Sequence, residues 1–171
     1  MYGSILVPLA DNRRSALILP EASRLASALG ARLVLMRVVP PQPETVYGSG
    51  EGELLPPQWA MEREQQDLAA AERDLRAESR KIPAGVPVET VVRCGDVVEE
   101  ILCVAAEHRC GMIAMSTHGR SGIDHLLHGS VTELVVRRSG LPVLVLCPSP
   151  DTGALNPRRR TRAATGARLH A

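Results

Sequence analysis

Apolar residues along this chain recur at two spacings. In some stretches four or five run together: Ile5-Leu6-Val7-Pro8-Leu9, Leu33-Val34-Leu35-Met36, Met112-Ile113-Ala114-Met115 and Pro142-Val143-Leu144-Val145-Leu146. In others they return every third or fourth position, as at 16, 17, 19, 22, 25, 26 and 29 and at 97, 98, 101, 102, 104 and 105. Short apolar runs suit buried strands, and the wider spacing suits one face of a helix. Ser4–Leu9 therefore predicts a first strand. Asp11 is placed to cap the helix that follows over about Arg14–Leu29, which Gly30 stops. Arg32–Val39 predicts a second strand, broken by Pro40-Pro41.

Residues 40–58 are rich in Pro, Gly and Glu and predict a long loop. From Gln58 to about Lys81 the pattern is helical, with few apolar positions (Trp59, Met61, Leu68, Leu75), so this helix covers one face and is otherwise solvated. Pro83 to Pro87 break it, and Val88–Arg93 alternates like a third strand. Asp96 caps a third helix, Met112–Met115 gives a fourth strand, Ser130 caps a helix over Val131–Arg138, and Pro142–Leu146 is the last strand. Strands alternating with helices make an α/β protein with a parallel sheet and helices on both faces. Such sheets bind ligands outside the carboxyl ends of their strands. The loops at Pro8–Asn12 and Ser116–Gly129 both lie at that end.

Composition narrows the field. A length of 171 residues suits one domain. There is no Phe, and Tyr2, Tyr47 and Trp59 are the only aromatics, which disfavours stacking of single-stranded nucleic acid. The net charge of +1 conceals an asymmetry: residues 1–150 carry −3, and five arginines (158, 159, 160, 162, 168) follow. Pro148–Ala171 has little apolar periodicity and is expected to be disordered. Its Arg158–Arg162 cluster fits contact with nucleic acid or an acidic surface, or a plain solvated extension. The four cysteines form no C-x-x-C pair and lie in or beside apolar segments, predicting free, mostly buried thiols in a reducing compartment. No basic segment precedes an apolar one near Met1, and no run approaches the ~20 residues of a membrane span, so the expectation is a cytoplasmic protein.

The chemistry concentrates in Ser116-Thr117-His118-Gly119-Arg120-Ser121-Gly122-Ile123-Asp124-His125-Leu126-Leu127-His128-Gly129-Ser130. A strand, a small-residue loop and a helix N-terminus converge backbone N–H groups, which suits an anion and phosphate above all. Gly119, Gly129 and Ser130 are equally compatible with a tight turn and an ordinary helix cap. Arg120 fits a phosphate fork or a solvated loop arginine. His118 faces phosphate or packs the loop. His125 and His128 are three apart, a spacing that would put them on one face if the segment were helical, but no Cys or carboxylate set completes a metal site. No nucleophile–base pair emerges, and no G-x-x-x-x-G-K-[ST] loop is present.

The same residues resemble the universal stress protein family, whose pattern is Gly, two residues, Gly, nine residues, Gly, then Ser or Thr. Here those places fall on Ser116, Gly119, Gly129 and Ser130. The opening Ile5–Leu9 and closing Leu141–Leu146 are similar as well, so the resemblance covers about residues 1–148, with 149–171 as the Arg-rich tail. It implies a five-stranded parallel sheet of order 3-2-1-4-5, Rossmann-like, of the adenine nucleotide alpha hydrolase kind.

It also implies ATP, with Mg or Mn, as the ligand. By position Gly119, Gly129, Ser130 and Val131 would hold phosphates and Val38 the adenine. Pro8, Ala10, Asp11, Met115, Ser116, His118 and Arg120 complete the implied set, with no catalytic residue and no protein metal ligand. Three positions depart from the family: Ala10 stands where an Asp is usual, with Asp11 one place later; Ser116 replaces the first glycine; and Gly111 replaces an Asp opening strand four. The resemblance further implies a homodimer through Pro142–Leu146, the other reading of that strand being a helix-covered edge inside a monomer. Protein partners are left unknown. The lack of a long apolar run speaks against a membrane, and the scarcity of aromatics makes nucleic acid an unfavoured partner. The functional expectation is a dimeric ATP-binding stress-response protein, at most a slow ATPase. The alternatives are an interaction module without nucleotide and an enzyme on an adenylate-like ligand.

Overall fold

The computed structural model describes residues 3–10, 15–41, 57–116 and 131–147, with only the helical backbone at 57–60. Among them β1 (Ser4–Pro8), α1 (Leu19–Leu29), β2 (Arg32–Val39), α2 (Pro57–Ser79), β3 (Val88–Cys94), α3 (Val97–Glu107), β4 (Met112–Ser116), α4 (Val131–Arg138) and β5 (Val143–Leu146) follow in order. The five strands form one sheet, ordered β3-β2-β1-β4-β5, and every neighbouring pair is parallel. The α/β fold and strand order agree with expectation. The Arg-rich stretch and most of the 40–58 loop lie outside the described residues.

Side-chain alternation along each strand divides the core in two. Ile5, Val7, Leu33, Leu35 and Ala114 point to the face covered by α1 and α2, where Ala22, Ala26 and Leu75 meet them. Leu6, Val34, Met36, Ile113 and Met115 point to the other face, against Val98, Ile101, Val104 and Val135 of α3 and α4. With both faces covered, the central strands need apolar residues at consecutive positions, and that is why they read as unbroken runs.

Three features differ from the pattern. The first helix was expected from Arg14; instead Ser15–Ile18 is a 3-10 turn and α1 begins at Leu19. Pro20 fixes this start, since a proline is tolerated in the first turn, where its missing N–H has no partner to lose. Gly30 ends the helix at φ 61°, and Ala31 N–H reaches back to the Ala26 carbonyl at 2.9 Å. In α2 the buried apolar positions are Ala71 and Leu75, whereas Met61 is 64% exposed, so the described part of the helix buries its apolar side chains in its second half. The cysteines also differ: all four are free, but Cys103 and Cys147 are exposed, Cys94 is half-buried and only Cys110 is buried. Being next to an apolar run does not place a residue on its inward face.

At α3 the expected cap is present. The Asp96 carboxylate accepts from the N–H groups of Val98 and Glu99, both at 3.0 Å. Removing it leaves two helix-end donors to water. Asp96→Ala is therefore expected to lower the unfolding free energy by about 1 kcal/mol in denaturant titration. Burial pushes the Cys110 thiol up from 9.0 to about 11. The folded state then keeps a proton that the unfolded chain has lost between those values. The stability that Cys110 contributes should be level below pH 9.0 and fall as the pH climbs toward about 11, and Cys110→Ala should remove that part of the decline in melts across this range.

Candidate functional site

The chain reverses direction across the sheet between β1 and β4. From β1 it moves through β2 to β3 on one side, and from β4 to β5 on the other. Beyond β1 it leaves toward the face carrying α1, whereas α4 packs on the opposite face. The two strands therefore diverge at their carboxyl ends, the usual place for a ligand crevice in this architecture.

Register makes the divergence concrete. β1 pairs with β2 from Ser4↔Arg32 to Pro8↔Met36, but with β4 only at Ile5↔Met112 and Leu6↔Ile113. β4 meanwhile stays paired with β5 through Ser116↔Leu146. Pro8 ends β1 where the ladder to β4 has already opened, so its missing N–H breaks no bond on that side. Since β1 stops opposite Met36, Arg37-Val38-Val39 of β2 project beyond it. Leu9 N–H still reaches the Met36 carbonyl at 2.8 Å, which holds the departing chain to β2.

Five of the sequence-predicted residues, Pro8, Ala10, Val38, Met115 and Ser116, are thus placed at one end of the sheet by three strands. Val38 packs on the α3/α4 core to which the buried Met115 belongs, so that side of the crevice is apolar. Val131 opens α4 and is exposed. Asp11, His118, Gly119, Arg120, Gly129 and Ser130 lie outside the described residues, as do His125 and His128. Among the described residues no group of three or more His, Cys, Asp or Glu could hold a metal ion.

Polar contacts that the sequence pattern does not show connect these strand ends. The Ser116 hydroxyl donates to the Ser15 carbonyl at 3.3 Å, and the Ser15 hydroxyl donates to the Ala10 carbonyl at 2.9 Å. That same carbonyl accepts from Arg37 Nη2 at 3.4 Å, while Arg37 Nη1 pairs with Asp74 of α2 at 2.9 Å. The available signal was Arg37 itself, a charge inside the otherwise apolar run Leu33–Val39.

At the end of β3 the surroundings are acidic. Burial, then the Glu64 carboxylate bonded to it, then Glu100, push the Cys94 thiol up, so it is not an activated nucleophile. Gly95, at φ 153°, bonds back to the Val39 carbonyl at 3.1 Å. A Cβ there would sit 2.8 Å from Glu100 Oε1.

Comparison with known proteins agrees with this architecture. Universal stress protein YxiE of Bacillus subtilis is 26% identical over 148 residues, which is 85% of this chain and 99% of that protein. Universal stress protein MJ0577 of Methanocaldococcus jannaschii is 37% identical over 62 residues, a stretch spanning 36% of this chain and only 38% of that protein. The solved structure of MJ0577 superposes with a TM-score of 0.69 at 22% identity, covering 88% of this chain and 99% of its own. A universal stress protein solved in complex with cAMP gives 0.62 at 21% identity, covering 86% and 98%. At these identities the structures speak for the fold. The sequence model of the universal stress protein family matches residues 1–146, a span that holds all five strands and the four α-helices described above, and the chain belongs to that family.

Proposed function

We propose that this protein binds ATP in the crevice between β1 and β4 and works as a dimeric stress-response protein that signals through its bound state. One observation carries the reading: the β1–β4 ladder stops after Leu6↔Ile113 while β2 and β5 continue on either side, leaving an opening at the strand ends. A relative of the same fold, solved with cAMP, supports an adenine nucleotide as the ligand class. Val38 and the buried Met115 offer an apolar side for a base. Gly119, Gly129 and Ser130, with the N-terminus of α4, would hold phosphates, and Arg120 would add a charge-assisted contact. Bound ATP would bring its own Mg²⁺ or Mn²⁺ and supply a hydrolysable phosphoanhydride. The chain's part is to bind and orient, because Cys94 is held protonated and no nucleophile–base pair lies among the described strand-end residues.

The position of β5 supports dimerisation through it. β5 is an edge strand, its residues are apolar, and Leu144 is 37% exposed. A groove of about 540 Å³ runs beside it, lined by Ile18, Leu25, Leu144 and Leu146 together with the charged Glu21 and Arg24. An uncovered apolar edge invites pairing, and a second copy of the same strand is the simplest cover.

A second reading, an interaction module without nucleotide, is favoured by one feature. Ala10 brings no carboxylate to the crevice, and its carbonyl already takes two donors. The two readings separate on extraction: heat-treated pure protein should release adenine nucleotide, and millimolar ATP–Mg²⁺ should raise the melting temperature. No nucleotide and no shift would refute ATP binding. Gly129→Glu, which places a carboxylate among the phosphates, should abolish binding in a folded protein, and unchanged affinity would remove the loop from the site. Leu144→Asp should convert a dimer to a monomer by light scattering, with the circular dichroism spectrum unchanged.

A further inference from the structure

We infer that Asp74, Arg37, Ser15 and Ser116 act as one positioning set, holding Ala10, at the exit of β1, at a fixed distance from the end of β4. The inference rests on the crevice proposed above and names what sets its width.

The contacts form one series. Asp74 Oδ2 takes Arg37 Nη1 at 2.9 Å, Arg37 Nη2 donates to the Ala10 carbonyl at 3.4 Å, Ser15 Oγ donates to that carbonyl at 2.9 Å, and Ser116 Oγ donates to the Ser15 carbonyl at 3.3 Å. They join α2, β2, the exit of β1, the 3-10 turn and the end of β4, the walls of the crevice on the α1/α2 side. A carbonyl oxygen has two lone pairs, and at Ala10 both face donors from this series. Arg37 suits its place because a guanidinium is planar, permanently charged and forked, so fixing one arm on Asp74 orients the other on Ala10. Only 11% of its side chain is exposed.

The series serves position more than stability. Asp74 is 57% exposed, so its ion pair with Arg37 contributes little to folding. Two of its members also stand at the departures from the family pattern. Ser116 replaces a glycine and spends its added hydroxyl on Ser15, while Ala10 contributes its backbone carbonyl and no side-chain group. Two of the three departures, Ala10 and Ser116, are thus tied to one another through Ser15.

Asp74→Ala cuts one end of the series and Ser116→Ala the other. Three measurements decide the matter. Hydrogen exchange of residues 9–18, followed by mass spectrometry, should speed up about fivefold in each variant, the equivalent of one hydrogen bond. The melting temperature should move by only about 2 °C, as expected for an exposed pair. Titration with ATP–Mg²⁺ should show affinity weakened about three- to tenfold in each, with the double variant weaker by less than the product of the two, since both release Ala10. Asp74→Glu, which keeps a carboxylate, should restore most of the affinity. Unchanged exchange in Asp74→Ala would overturn the inference, and so would faster exchange with unaltered ATP affinity, or independent effects in the double variant. If the unmodified protein binds no ATP, the proposed function fails by itself, and exchange in the two variants still decides whether the series holds Ala10.

Discussion

The pairing of β1 with β4 carries more of this structure than any other contact. It joins the two halves of the sheet, β3-β2-β1 and β4-β5, through Ile5↔Met112 and Leu6↔Ile113. Below that seam the strands are locked by backbone hydrogen bonds and by Leu6 and Ile113 side by side in one core. Above it they are free to part, and the crevice is what that parting leaves. A seam extended to Pro8 and Met115 would close the opening, and a seam absent altogether would leave β1 and β4 as bare edges. The short ladder is thus the condition for having both a single sheet and a site.

The two ends of the sheet are built for different tasks. At the amino end Arg32 donates to Ser4 Oγ at 2.9 Å and pairs with Glu89 at 3.2 Å, and Glu89 also meets His108 Nδ1 at 3.3 Å. Gly111 N–H bonds the Ser4 carbonyl at 2.9 Å, closing β1 against the start of β4. Those contacts tie neighbours that the strand register already holds together. At the carboxyl end the comparable contacts, from Asp74 to Ser116, cross between elements that the register lets go. Side chains there do the work that ladder hydrogen bonds do elsewhere.

Much of the fold was readable because it rests on local signals. β2 spans Arg32–Val39 as its apolar run and flanking Gly30 and Pro40-Pro41 imply, and Asp96 caps α3 as its position before Val97-Val98 suggests. Where two local signals compete, reading fails: the periodicity from Ala16 favours a longer helix, but Pro20 sets the start of α1. Met61 follows the helical pattern yet faces solvent, because periodicity does not reveal which turns of a long helix reach the sheet. At the site, Pro8, Val38, Met115 and Ser116 came from the family resemblance by position, and the structure places each at or next to the carboxyl end of a strand. The Arg37–Asp74 pair was not legible, for it joins residues 37 positions apart and leaves no periodic trace. The loop glycines were read from family spacing alone, and their geometry lies outside the described residues.

The seam between the halves also imposes an order on biosynthesis. β1, β2 and β3 are complete once Cys94 has been made, and they can assemble by pairing elements close in sequence. The partner that covers the other side of β1 is β4, and Ile5 must wait for Met112. Throughout that interval a fully buried strand of the finished protein stands on the growing chain with one flank open, the condition under which nascent polypeptides meet one another or a chaperone. The residues that will later border the crevice therefore spend the earliest part of the molecule's life as its most vulnerable edge.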